Sequence, residues 1–184
     1  LKHQKIDIAE LTETLPIIFG AKVIQPIIIT GMTGGGKSMF CKSVARTVYA
    51  ESLGLMPDDI GFVTERLASR DAAEVAGVAL PFKDEKGWIV IGTGNRTKDK
   101  SGANRMLAHL LDRVLMFELE FSIDAFSVWA YANDVHPLII ECAVSNNSTD
   151  NPFFADSVPA TDEQYCSPRS AVRASDHLTA FLKV

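Results

Sequence analysis

Cysteine is scarce in this chain and badly placed for cross-linking: Cys41, Cys142 and Cys166 are the only three in 184 residues, with no CxxC pair. An odd, widely spaced set excludes a disulfide framework and suits a reducing interior. Histidine is equally sparse, and His3, His109, His136 and His177 show no metal-ligand spacing with one another or with cysteine. Long apolar runs are missing too. The longest, Val23 to Thr30, is interrupted by Gln25 and Pro26 and is far too short to span a bilayer. The first residues lack the basic, apolar and small-residue order of a secretion signal. These features read together as a soluble, cytoplasmic protein with no membrane partner. Positive charge is also in deficit, with 18 Lys and Arg against 23 Asp and Glu and a formal net charge of −5. No global basic field drives binding to phosphate backbones, so nucleic acid has no support here as a partner. Trp88 and Trp129 form no aromatic platform for bases, and Ser43, Ser127 and Ser170 lack a nucleophile elbow and a base. Neither repeats nor low-complexity tracts occur, which excludes solenoids.

What is present is apolar mass, 47% of the residues, enough for one substantial core with a small appended subdomain. Val23 to Thr30 is rich in β-branched residues, as in a strand buried on both faces of a parallel sheet. It feeds into Gly31-Met32-Thr33-Gly34-Gly35-Gly36-Lys37-Ser38, a match to GxxxxGK[ST]. That pattern works because small residues let successive backbone N–H groups converge on phosphate oxygens, while the next helix points its positive end at the same anion. Lys37 is placed for the β- and γ-phosphates, and Ser38 for a magnesium ion that takes few protein ligands. Met32 and Thr33 read as loop spacers, and Gly34 and Gly35 as residues that permit close backbone approach. Met39 completes the set expected to touch the nucleotide.

Around this loop, residues 1–22 suggest a helical lead-in that ends near Gly20 and packs beside the nucleotide. A helix is expected from Ser38 to about Leu53, then strands at Ile60 to Thr64, Trp88 to Thr93 and Val114 to Phe121, with a helix at Ala103 to Asp112. Past residue 121 the pattern turns helical, at Ile123 to Asn133, Pro137 to Val144 and Pro168 to Leu182. The expected fold class is α/β: a P-loop NTPase three-layer core with a mostly parallel sheet over residues 1–121, and a C-terminal helical lid over 122–184.

Downstream segments narrow the branch. Ile89-Val90-Ile91-Gly92-Thr93-Gly94-Asn95-Arg96 resembles the sensor-1 strand of AAA+ ATPases, in particular the MoxR-like group and related phage-encoded members, with Asn95 at the water-orienting position. Leu107-Ala108-His109-Leu110-Leu111-Asp112-Arg113-Val114 is similar to the segment that presents an arginine finger to the next subunit, which makes Arg113 the candidate. Cys166-Ser167-Pro168-Arg169-Ser170 looks like the sensor-2 start of the lid, with Arg169 reaching the phosphates. Residues 65–77 also resemble the group, so the likeness covers most of residues 20–182. Read alone, Asn95 also fits a turn former, Arg113 a surface arginine paired with Asp112 or Glu118, and Arg169 a helix-start residue.

The resemblance demands a Walker B strand ending in Asp-Glu. Asp84-Glu85 is the sole Asp-Glu between loop and Asn95, and Leu80-Pro81-Phe82-Lys83 before it makes a poor buried strand. Gly77 to Phe82 is similar to family sequence before Walker B and Gly87 to Arg96 to sequence after it, so residues 83–86 read as the join across a missing segment. The resemblance implies ATP and Mg²⁺ as cofactors, ATP hydrolysis, a hexameric homo-oligomer and a protein client to be remodelled or assembled. A nucleic-acid motor or replication loader, and a nucleotide-gated assembly module without turnover, stand as alternatives.

Overall fold

The computed structural model describes residues 4–22, 25–64, 89–96, 113–148, 152–156 and 165–183. Strand β1 (Gln4–Ile6) leads at once into helix α1 (Ile8–Phe19). Asp7 starts that helix. Its carboxylate accepts from the Glu10 amide at 2.8 Å, and the Glu10 carboxylate accepts from the Asp7 amide at 3.3 Å, so two otherwise orphaned donors are satisfied. The helix stops at Gly20 as expected, but β1 is an addition. Three residues carry no readable alternation, and their partner strand lies more than a hundred positions away, Gln4 opposite Phe117.

Strand β2 (Ile27–Gly31) enters the glycine loop, and the chain leaves it in α2 (Lys37–Phe40), a π-helical turn (Cys41–Ala45) and α3 (Arg46–Ser52). These three run on as the helical stretch expected after the loop. A short 3₁₀ turn (Pro57–Asp59) follows. The expected strand at residues 60–64 is not one: among the described residues it joins no ladder, and the Ile60 carbonyl instead accepts from Arg46 Nε at 3.0 Å. Strands β3 (Ile91–Asn95) and β4 (Leu115–Leu119) complete the sheet. Trp88, Asp84-Glu85, the 83–86 join and the helix expected over 103–112 lie outside the described residues.

The four strands are all parallel, in the order β1-β4-β2-β3. Gly31 lies opposite Asn95 on one side and Leu119 on the other, and Leu119 lies opposite Ile6. All four strands therefore end at one level. The chain visits β3 on one side of β2 and then β4 on the other, so the carboxyl end of β2 is a topological switch point, where open parallel sheets hold their ligands.

One face of the sheet carries the main core. Ile27, Ile29, Phe117 and Leu119 pack with Leu11, Leu15 and Phe19 of α1 and with Phe40, Val48 and Tyr49 after the loop. The Phe19 and Tyr49 rings meet edge to face at 5.3 Å. The other face is closed less completely: Thr30 is buried while Ile28 and Met116 are half-buried. A second cluster belongs to the C-terminal helices α4 (Ile123–Ala132), α5 (Pro137–Ser145) and α6 (Pro168–Leu182). Phe126, Ala130, Val135, Ile140, Ala143, Phe154 and Ala171 form it, together with Met32 from the glycine loop. Each helix opens on a side-chain cap, at Ser122, His136 and Ser167, which fixes these starts locally.

Candidate nucleotide site

The loop owes its shape to two residues in the left-handed region, Gly34 at φ +79° and Gly36 at φ +82°. Side chains there are strained, so glycine is the residue the turn demands. The Gly35 amide closes the turn on the Met32 carbonyl at 3.2 Å, and the Phe40 amide bonds the Gly36 carbonyl at 2.9 Å, which starts the helix. The loop thus sits where the four strand ends and a helix N-terminus converge, at the switch point defined by the sheet order.

Lys37 is buried, and its ammonium is fixed by the site itself. Nζ donates to the carbonyls of Gly31 at 2.9 Å and Met32 at 2.7 Å, and to Asn95 Oδ1 at 3.3 Å. The sheet register explains the last contact, because Gly31 and Asn95 are direct neighbours across β2 and β3. Two residues 58 positions apart are therefore in hydrogen-bond contact.

The start of α6 meets the same loop. A Cβ built on Gly34 would lie 3.1 Å from Ser167 Oγ and 3.4 Å from Arg169 Cβ. Arg169 is exposed, one turn position inside a helix whose cap, Ser167, abuts the loop. Ser38 and Met39 are exposed on the first turn after Lys37. Arg113 is exposed and elsewhere: it precedes β4 at the amino end of the sheet, beyond a strand that is about 13 Å long at the usual rise per residue. The fold brings Gly31 to Lys37, Asn95 and Arg169 together, and it leaves Arg113 at the opposite end.

Comparison with family models, curated proteins and solved structures gives no match. What the site does is accordingly read from its own chemistry.

Three participants were not legible as such. Met32 reads as a spacer in the sequence, yet it is buried at 4% exposure inside the cluster of the C-terminal helices. Arg96, next to Asn95, donates to Asp156 Oδ1 at 2.8 Å and to the Asp156 backbone carbonyl. Ala155 in turn bonds its amide to the Cys166 carbonyl at 3.0 Å, just before Ser167. Lys37, Asn95, Arg96, Asp156 and the Ser167 cap so form a circuit around the loop. The only signal for Arg96 was its adjacency to Asn95; Met32 was legible as a loop residue but not as a packing one, and Asp156 carried no signal.

A cleft of about 500 Å³ opens beside the loop, bounded by Met32, Leu119, Phe121, Phe154, Arg96 and Glu118. Lys5 lies at its rim, where the Glu120 carboxylate 2.7 Å away raises the lysine pKa above its usual value. The residues fit a phosphate-bearing ligand on a structural test. Thr33 Oγ1 is buried without a hydrogen-bond partner among the described residues, and the missing Cβ atoms at Gly34 and Gly35 let Ser167 and Met32 pack closely on the loop. For Mg²⁺ the described residues offer the Ser38 hydroxyl, and no group of three His, Cys, Asp or Glu among them is arranged to hold a metal. No described helix is long and apolar enough to cross a membrane.

Proposed function

We propose that the chain binds ATP with Mg²⁺ at the Gly31–Ser38 loop and hydrolyses it as an AAA+ ATPase similar to the MoxR group. In this reading it works within a homo-oligomer, hexameric by that resemblance, and remodels or assembles a protein partner in the cytoplasm. The observation that carries the reading is the Lys37 ammonium, held by two loop carbonyls and Asn95 at the carboxyl end of β2.

The loop amides and Lys37 neutralise the phosphates, and a buried ammonium is worth more there than in water because the local dielectric is low. The Lys37 bonds to Gly31 and Met32 hold the charge in place before any anion arrives. Asn95 has an amide oxygen on Lys37 and an amide nitrogen left to orient a water or a phosphate oxygen. Arg169, beside Gly34, is the lid's cation for the terminal phosphate. Ser38 would hold Mg²⁺, which when bound supplies further positive charge to the phosphates. Arg113 lies too far from its own loop to serve it, so its role is in trans, where such a cation is worth ~10³–10⁵ in rate.

A second reading, a nucleotide-gated assembly module without turnover, is favoured by one feature of the sequence. Hydrolysis needs a carboxylate to activate water, and the only Asp-Glu between loop and Asn95 follows a proline-broken stretch at residues 80–83. Steady-state ATP hydrolysis against protein concentration separates the two, with nucleotide affinity measured in parallel. Turnover should rise cooperatively with concentration and collapse in Arg113→Ala while affinity holds. Lys37→Ala should weaken ATP binding by about 10- to 100-fold, the loss of one charge-assisted contact. Binding without turnover at any concentration moves the assignment to the gated module, and no binding at all removes both.

A further inference from the structure

The charge of this chain is unevenly distributed. No lysine or arginine falls between Arg113 and Arg169, while nine acidic residues do, so the lid half carries the net negative charge of the molecule. On the face of the lid formed by α4 and α5, this acidity meets exposed apolar side chains. A groove of about 420 Å³ runs between the two helices, floored by Ile140 and walled by Tyr131, Pro137 and Val144, with Glu141 at its edge. Tyr131 is 62% exposed and Val144 44%, and beside them Val128 and Leu138 are exposed at 72% and 57%. Asp124 and Asp134, both exposed, stand at the two ends of α4.

Lone surface apolar residues need no explanation, but a groove with aromatic and aliphatic walls, lined by Glu141 and by no cation among the described residues, does. Glu141 and the acidic balance of residues 114–168 repel phosphate backbones and anionic lipid, which argues against nucleic acid and membrane surfaces as occupants. They complement a cation. The wall residues recur at helical spacing on both sides, Tyr131 one turn beyond Ser127 on α4 and Pro137, Ile140, Glu141 and Val144 on α5. An apolar groove between two helices is a shape that takes the apolar face of an amphipathic helix. From Pro137 to Ser145 the α5 wall is about 13 Å long, room for two to three turns of a bound helix.

We propose that the α4–α5 groove is the docking site for a short basic amphipathic helix of a partner protein, apolar face on Tyr131, Ile140 and Val144 and cations against Glu141, Asp124 and Asp134. The site is separate from the loop and stands whether or not the chain hydrolyses ATP.

The test uses the full chain and two fluorescein-labelled 14-residue probes, one with leucine on one face and lysine on the other, its counterpart with glutamate in place of lysine. Fluorescence anisotropy should show the lysine probe binding and the glutamate probe at least ten-fold weaker. Glu141→Lys and Tyr131→Ala, both at exposed positions, should each weaken the lysine probe at least five-fold with an unchanged melting temperature. Glu13→Lys on α1, which alters net charge by the same amount, should have less than a two-fold effect. Absence of binding, equal binding of both probes, or a Glu13→Lys effect matching that of Glu141→Lys would overturn the proposal. Self-association that is lost in Glu141→Lys without any probe binding would likewise overturn it and assign the groove to a second copy of the chain.

Discussion

Burial pushes the Cys41 thiol from an ordinary value near 9 up to about 11, because the thiolate would lose its water at the first residue of the π-helical turn behind the loop. The sign of the consequence follows directly. The folded chain keeps the proton to higher pH than the unfolded chain, so the stabilisation is complete below about pH 9 and is lost as pH rises towards 11. That rise in pKa corresponds to about 3 kcal/mol at most. Tyr49, one helical segment further on, is shifted upwards by burial too and adds to the loss in the same direction. Urea midpoints measured from pH 7 to 10.5 should fall steeply above pH 9 in the native chain and less steeply in Cys41→Ala. Identical pH profiles for the two would remove Cys41 from the account. At this scale the loop residues were legible, because glycine, lysine and serine at fixed spacing leave little freedom. The partner of Lys37 was legible only as a role for Asn95; the contact itself depends on the β2–β3 register.

Among elements, the three C-terminal helices were readable to within a residue or so because each announces its start with a cap, and two follow it with proline: Ser122, His136-Pro137 and Ser167-Pro168. Strands were less readable where their pairing is distant or a side chain takes their carbonyls, as β1 and residues 60–64 show. Helix α1 contains a local conflict that propensity exposes. Pro16 sits inside it, exposed, and lacks the N–H that would bond the Thr12 carbonyl one turn earlier. Its neighbours compensate, since Leu11 and Leu15 are fully buried against the sheet and hold the helix by packing. Pro16→Ala should therefore restore a helix bond without disturbing the core and raise unfolding free energy by about 1–3 kcal/mol. Chemical denaturation checks it; a lower midpoint would mean that the proline shapes the packing of α1 rather than merely interrupting it.

At the scale of the molecule, Met32 carries the glycine loop into the second hydrophobic cluster. It leaves the loop between Gly31 and Thr33 and buries its side chain among Phe126, Phe154 and Ala171 of the lid cluster. Gly35 accommodates it, since a Cβ there would approach Met32 Cγ to 2.8 Å. Together with the Gly34–Ser167 approach and the Arg96–Asp156 pair, this ties the shape of the glycine loop to the seating of the C-terminal helices. No sequence pattern could announce that tie, because a methionine in a loop looks the same whether it faces solvent or another cluster. Met32→Ala should cost about 2–4 kcal/mol, as large-to-small changes at buried sites do, and should also weaken nucleotide binding, because the vacated contact frees the loop. Ile140→Val, buried in the same cluster away from the loop, should cost about 0.5–1.5 kcal/mol and leave nucleotide affinity within two-fold. If both variants lose stability and neither loses affinity, Met32 is a packing residue only, and the lid and loop move independently; if Met32→Ala alone loses affinity, the lid is read through that side chain.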